Sequence, residues 1–289
     1  MVDSSGQHPF RGGNVLVVAF EGWNDAGEAA SGAVRAVRDQ LGLVPRLEVE
    51  PEDYFDYQFN RPTVSMGPDG RRELEWPGVT LSAPADGTGV HVLLGTEPSR
   101  GWKTFSAEIV DAIEVAGITG IVFLGAMLAD VPHTRPISVF TGSDNRDVQD
   151  FFDLESSSYE GPVGIISVLG LAAEAAGIPT LSIWASVPHY VHNSPSPKAT
   201  LALIERLEEF VDVTLDRGSL VEEAATWEDG IDALAEDDED MAAYIKQLEQ
   251  ARDTVDSPEA SGDAIAEEFE RYLRRRNGQN PGPERPGGP

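Results

Sequence analysis

Cysteine is absent from this chain of 289 residues, lysine occurs three times, and all basic residues together number 21 against 50 acids. Without cysteine there can be no disulfide, no thiolate nucleophile and no Cys-ligated zinc or iron–sulfur site. The formal net charge of −29 repels nucleic-acid phosphates and anionic lipid headgroups over most of the surface, so neither nucleic acid nor membrane is expected as a partner. The opening residues have no basic start followed by a long apolar run, and no later stretch approaches the roughly twenty apolar residues of a membrane span. A cytoplasmic location is the natural expectation. Also missing are a Gly-x-Ser-x-Gly elbow, a Gly-x-Gly-x-x-Gly turn into the first helix, and a Gly-x-x-x-x-Gly-Lys-Ser/Thr loop. No cofactor is therefore expected.

What is present alternates. Asn14 to Phe20, Gly89 to Gly95, Ile118 to Leu124 and Thr180 to Val187 are continuous apolar runs of strand length, the pattern of strands buried on both faces. Val163 to Val168 reads as a further strand, and Pro45 to Val49, Val79 to Ala83 and Ile137 to Phe140 as others. Between them lie amphipathic helical patterns. One starts at Asp25, where Glu28 three residues on suggests a capping box, and carries Ala29, Ala30, Ala33, Val34 and Val37 at helical spacing. Another follows Trp102 and ends at Gly117, and another begins near Pro197. Thr63 to Met66 and Arg72 to Trp76 flank Gly67-Pro68-Asp69-Gly70, a hairpin turn whose Asp-Gly pair supplies positive φ. Buried strands alternating with amphipathic helices predict an α/β fold with helices on both faces of a sheet.

The domain organisation follows from the composition. Residues 1–13 read as a Gly-rich mobile arm, 14–215 as the α/β domain, 216–276 as an acidic helical extension and 277–289 as a disordered tail rich in Pro and Gly.

Loops after the carboxyl ends of parallel strands converge on one crevice. The candidate pocket or interface there comprises Glu21, Trp23, Asn24, Glu97, Arg100, Trp102, His133, Arg135, His189 and Asn193. None is assigned a catalytic role. His189 and His192 stand three apart, a spacing that suits metal ligands on a helix, but Pro188 and Pro195 oppose a helix there and no third ligand is fixed by spacing, so no metal is expected.

Four motifs add a resemblance: Gly22-Trp23-Asn24-Asp25-Ala26-Gly27, then Val131-Pro132-His133-Thr134-Arg135-Pro136, then Ser182 to Val191 (SIWASVPHYV), then Pro195-Ser196-Pro197-Lys198-Ala199-Thr200. In this order they resemble the actinobacterial branch of the proteasome assembly chaperone 2 family, over Val15 to about Leu215. The resemblance implies a three-layer α/β/α domain of the phosphorylase/hydrolase-like type with a mixed, mostly parallel sheet. It also implies self-association into a homo-oligomer, with a trimer as one candidate, contact with proteasome subunits, and no established catalytic residues. Chaperones that dock on proteasome rings commonly end in a hydrophobic residue, a tyrosine and one more residue. This sequence ends Pro286-Gly287-Gly288-Pro289, with Arg271-Tyr272-Leu273 internal, so docking by such a tail is not expected.

The leading expectation is a non-catalytic, homo-oligomeric assembly or interaction protein. The alternative is a small-molecule hydrolase, phosphorylase or ligase working in the crevice at the strand carboxyl ends.

Overall fold

A computed structural model describes residues 8–49, 51–154, 159–192 and 194–255. The chain divides into two compact units, Met1–Leu234 and Ala235–Pro289. In the first, a seven-stranded sheet is built from β1 (Asn14–Glu21), β2 (Val44–Glu48), β5 (Val79–Ala83), β6 (Val90–Thr96), β7 (Ile118–Ala129), β8 (Val139–Gly142) and β9 (Thr180–Pro188). Their order is β2-β5-β6-β1-β7-β9-β8. β6, β1, β7 and β9 run parallel to one another. The remaining pairings, β2 with β5, β5 with β6 and β8 with β9, are antiparallel. The sheet is thus a parallel core with antiparallel flanks. β3 (Thr63–Met66) and β4 (Arg72–Glu75) form a separate two-stranded sheet.

The apolar runs are explained by this topology. Alternate residues of β1 serve opposite cores: Val15, Val17 and Ala19 face one, while Leu16, Val18 and Phe20 face the other. A strand buried on both sides has no polar face to show, so its period of two vanishes from the sequence. The first face is covered by α1 (Ala29–Gln40) and α6 (Pro197–Phe210), through Ala30, Ala33, Val34, Leu203 and Leu207. The second is covered by α3 (Trp102–Val115) and α5 (Ile165–Ala175), through Phe105, Ile109, Ile113, Ile165 and Leu169. The result is the expected three-layer α/β/α architecture.

Several local readings change. Val163–Val168 is not a strand: Gly164 caps α5, which begins at Ile165. A short apolar run cannot by itself separate a buried strand from a buried helix. The capping box at Asp25 does not form either, because Glu28 adopts a left-handed conformation (φ 50°) between a 3₁₀ turn, Ala26–Glu28, and α1. The segment after β2 contains α2 (Pro51–Tyr54), and Asn145 caps α4 (Arg146–Phe152) by accepting the Val148 N–H at 3.2 Å. Phe10, within the stretch expected to be mobile, is fully buried and stacks on Phe152 at 6.1 Å.

The acidic region contributes α7 (Leu220–Glu236), which belongs to the first unit as far as Leu234. The second unit contains α8 (Glu239–Val255), capped by Asp238, whose carboxylate accepts the N–H groups of Asp240 and Met241 at 3.0 Å. The helical pattern at Ile265 to Leu273 and the tail beyond it lie outside the described residues. No helix among the described residues is long and apolar enough to cross a membrane.

Two glycines give opposite expectations. A Cβ on Gly95, in β6, would lie 2.0 Å from the Gly78 carbonyl oxygen and 2.6 Å from Val79 Cα, which are backbone atoms that cannot swing aside. Gly95→Ala is expected to cost on the order of 2–3 kcal/mol. Gly230 lies within α7 in open space, so Gly230→Ala should stabilise by about 0.5–1 kcal/mol. Thermal unfolding of both variants checks the pair.

Candidate functional site

The loop after β1 is shaped by its sequence almost residue by residue. Gly22 has a φ of 113° that side chains disfavour. The Asn24 carbonyl accepts the Ala126 N–H at 2.8 Å, binding the loop to β7. Asp25 is 7% exposed, and its Oδ1 accepts the N–H groups of Ala30 and Ser31 at 2.8 and 3.0 Å. It therefore caps α1 from across the 3₁₀ turn, supplying negative charge where the helix leaves donors unsatisfied. Burial pushes the Asp25 carboxyl above the usual aspartate range, against the opposing pull of those N–H groups and of Arg35. Gly27 has a φ of 60°, and its carbonyl accepts the Ser196 N–H at 2.7 Å. A Cβ there would come within 2.9 Å of Ser196 Cβ. Trp23 points outward and is 63% exposed.

Of the predicted residues, Glu21, Asn24 and Glu97 do come together. Glu97 Oε1 accepts the Ile165 N–H at 2.9 Å and the Asn24 Nδ2–H at 3.4 Å. The Glu97 N–H donates to the Glu21 carbonyl at 3.0 Å. Glu21 pairs through its carboxylate with Arg35 and accepts from the Thr96 hydroxyl at 3.3 Å. Glu97 thus does for α5 what Asp25 does for α1.

His133 belongs to a second group. It is fully buried, and the Tyr190 oxygen accepts its backbone N–H at 2.7 Å while lying 2.8 Å from its Nδ1. Asp232 Oδ1 faces Nε2 and, as a carboxylate oxygen, accepts, so Nε2 carries a proton and in the neutral imidazole Nδ1 accepts from the Tyr190 hydroxyl. Nε2 is 3.0 Å from Asp232 Oδ1, so the order is Asp232, His133, Tyr190. Lys198 donates through Nζ to the His133 carbonyl and to the Glu228 carboxylate. Trp227 packs edge-on against the imidazole, with ring centroids 6.4 Å apart. The network ties the loop after β7, the turn after β9 and the start of α6 to α7. An acid–histidine–hydroxyl order could in principle move a proton. Here the imidazole is sealed from solvent beneath α7, so a substrate cannot reach it while α7 is docked.

The other predicted residues are placed elsewhere. His189 Nδ1 lies 3.2 Å from Asp130 Oδ1, and Arg135 donates to the Thr134 hydroxyl and carbonyl. Arg100 donates to the Glu52 carbonyl at 2.7 Å, and the Trp102 indole donates to the Pro98 carbonyl. Asn193 lies outside the described residues. Among the described residues, no three His, Asp or Glu side chains gather to hold a metal. A hollow of about 400 Å³ opens between α1, α6 and the start of α7, lined by Arg35, Gln40, Thr200, Arg217 and Glu223 among others. None of its lining residues is in the predicted set.

Sequence reasoning placed Asp25 at the start of α1 as its cap but with Glu28 as a reciprocal partner, and it missed Tyr190 as a partner of His133 and Glu228 and Asp232 altogether. A signal for the last two existed: they are four apart, on the same helical face as Ala224 and Ile231, which are buried.

A parallel four-strand core with antiparallel flanks, covered by helices on both faces and closed at its carboxyl edge by carboxylate-capped helix starts, defines a three-layer α/β/α protein of a particular connectivity. The chain belongs to the PAC2 family, whose model matches residues 19–235. It is 43% identical to a PAC2 family protein from Streptomyces avermitilis, covering 80% of this chain and 99% of that one, with a TM-score of 0.72. It is 40% identical to a proteasome-assembly chaperone homologue from Mycobacterium tuberculosis, with the same coverage and a TM-score of 0.71. A protein of unknown function from Corynebacterium glutamicum is 27% identical over 92% of this chain and 95% of its own, with a TM-score of 0.72. No protein of curated function matches.

Asp25→Ala removes the α1 cap and should cost about 1–2 kcal/mol. Asp25→Asn keeps an acceptor but cannot ionise. Because the folded carboxyl titrates above its unfolded value of 3.8, the folded state holds this proton to higher pH than the unfolded state. Wild type should therefore lose stability relative to Asp25→Asn as pH rises from about 3.8 through the raised folded value, with a constant difference above it. Denaturant unfolding of both proteins from about pH 3.5 to 7 measures this. Tyr190→Phe leaves the His133 N–H and Nδ1 without their hydroxyl partner and should cost about 1–3 kcal/mol. Faster amide exchange over Leu220–Leu234 than over α1 would show that the loss is felt at α7.

Proposed function

We propose that this chain is a non-catalytic, self-associating assembly factor that acts on proteasome core components in the cytoplasm. The observation that carries this reading is the 40% identity, over 99% of its length, to a protein described as a proteasome-assembly chaperone homologue. The site chemistry supports it. Asn24, Asp25, Glu97 and His133, polar groups at the strand carboxyl ends, are engaged in capping helices and docking α7. Side chains committed in this way make rigid loops, and rigid loops suit recognition of a folded partner. The exposed indole of Trp23 stands among them as the kind of large, low-entropy side chain that anchors protein interfaces. Candidate interface residues on this reading are Trp23, Glu21, Arg100 and Arg135, while the buried members of the set hold the scaffold.

The tagged chain, captured from the cells that express it, should bring down proteasome core subunits or their precursors, identified by mass spectrometry. Trp23→Ala should reduce that recovery without changing thermal stability. Deletion of the gene should lower the ratio of mature core particle to precursor. Recovery of no proteasome component, together with normal core-particle assembly in the deletion strain, would refute the proposal.

A further inference from the structure

The β3–β4 hairpin is amphipathic, and its apolar side faces solvent. Its antiparallel register pairs Val64 with Leu74 and Met66 with Arg72, and pairs Thr63 with Glu75 and Ser65 with Glu73. Directly paired residues share a face, so one side carries Val64, Met66 and Leu74 while the other carries Thr63, Ser65, Glu73 and Glu75. Trp76 continues the apolar side and stands beside Tyr57, with ring centroids 4.8 Å apart. In a strand that lays this side on its own core, these residues would be buried. Instead Val64, Met66, Leu74 and Trp76 are 50%, 67%, 56% and 48% exposed, and nearby Phe59 is 83% exposed. The ribbon forms its own sheet apart from the seven-stranded one. A two-stranded ribbon of this kind is marginal alone in water and gains stability when its apolar side is covered. Clustered apolar exposure rimmed by polar residues marks an interaction surface.

The geometry points to a second copy of this chain as the occupant, joined through the Val64, Met66, Leu74 and Trp76 face of the hairpin. Charge decides between occupants. Two copies of a chain with net charge −29 repel over most of their surfaces. From Tyr57 to Gly78, however, Arg61, Arg71 and Arg72 balance Asp69, Glu73 and Glu75, and the segment is neutral. Here one acidic copy meets another without electrostatic opposition, over a surface already apolar. Arg72, beside Met66 on the contact face, is also placed to meet a carboxylate of the neighbour. The proposal rests on the self-association put forward above and assigns it a surface.

The absence of cysteine makes the test specific, because Met66→Cys carrying an environment-sensitive fluorophore reports this face alone. Light scattering on the full chain should give a mass that grows with concentration, with the fluorophore shifting to the blue in parallel. Val64→Glu with Met66→Glu should weaken association by at least about tenfold. Thr63→Glu with Ser65→Glu, on the opposite side, should leave it unchanged. Both pairs are exposed in the single chain, and unchanged melting would show that the fold is kept. If the Val64/Met66 variant associates as wild type does, the surface is wrong and self-association stands. A wild type that stays monomeric, with an exposed fluorophore, overturns both. Shielding that does not depend on concentration would mean that the same chain covers the face, and shielding only on addition of proteasome core subunits would make the occupant a different protein; either result overturns the second-copy proposal.

Discussion

Two helices on opposite faces of the sheet begin at the carboxyl edge of the parallel core, and each start is held by a carboxylate from a strand-end loop. Asp25 takes two N–H groups of α1, and Glu97 takes the first of α5. A helix entering a packed layer brings unpaired donors with it, and burying them unmet would cost more than any single contact around them returns. The rest of the edge depends on this arrangement. Asn24 is buried because it bridges toward Glu97, and Gly164 is a glycine because a Cβ there would strike the Asn24 amide, 2.1 Å away. Gly27 is a glycine because the chain must turn through positive φ against Ser196.

The His133 network follows the same logic one layer out. Val131-Pro132-His133 after β7 and Val187-Pro188-His189 after β9 look like duplicates in sequence, yet their histidines meet different fates. His133 is sealed beneath α7 between Tyr190 and Asp232, while His189 is partly exposed beside Asp130. What distinguishes His133 is α7, which brings Trp227 and Asp232 against its ring and Glu228 to Lys198 beside it. The polar residues of this edge are thereby committed to holding elements together, and what the edge offers outward is a firm surface bearing Trp23.

How much of this could be read from the sequence varied with the physics of each element. Strands β1, β6, β7 and β9 were legible because double-sided burial demands unbroken apolar runs. The hairpin was legible because Asp69-Gly70 permits few turns, and Gly70 does adopt φ 78°. Helix α5 was misread as a strand at its start because Ile165 and Ile166 give no period in so short a run. Phe10 was passed over because a single aromatic in a Gly-rich stretch has no pattern, although it fills a place beside Phe152 and over Gly120.

The candidate site was legible only as a set of residue types. That Glu21, Asn24 and Glu97 would meet followed from parallel topology, since adjacent strand ends are adjacent in space. By itself the sequence determined the layers, the absence of thiol chemistry and the acidic surface, because composition and period are local and additive. Only the tertiary structure decided which polar residues are buried caps, which histidine is sealed, and which side of the hairpin is left bare. Those outcomes depend on contacts between segments far apart in the chain, such as the 99 residues between His133 and Asp232, and no local pattern encodes them.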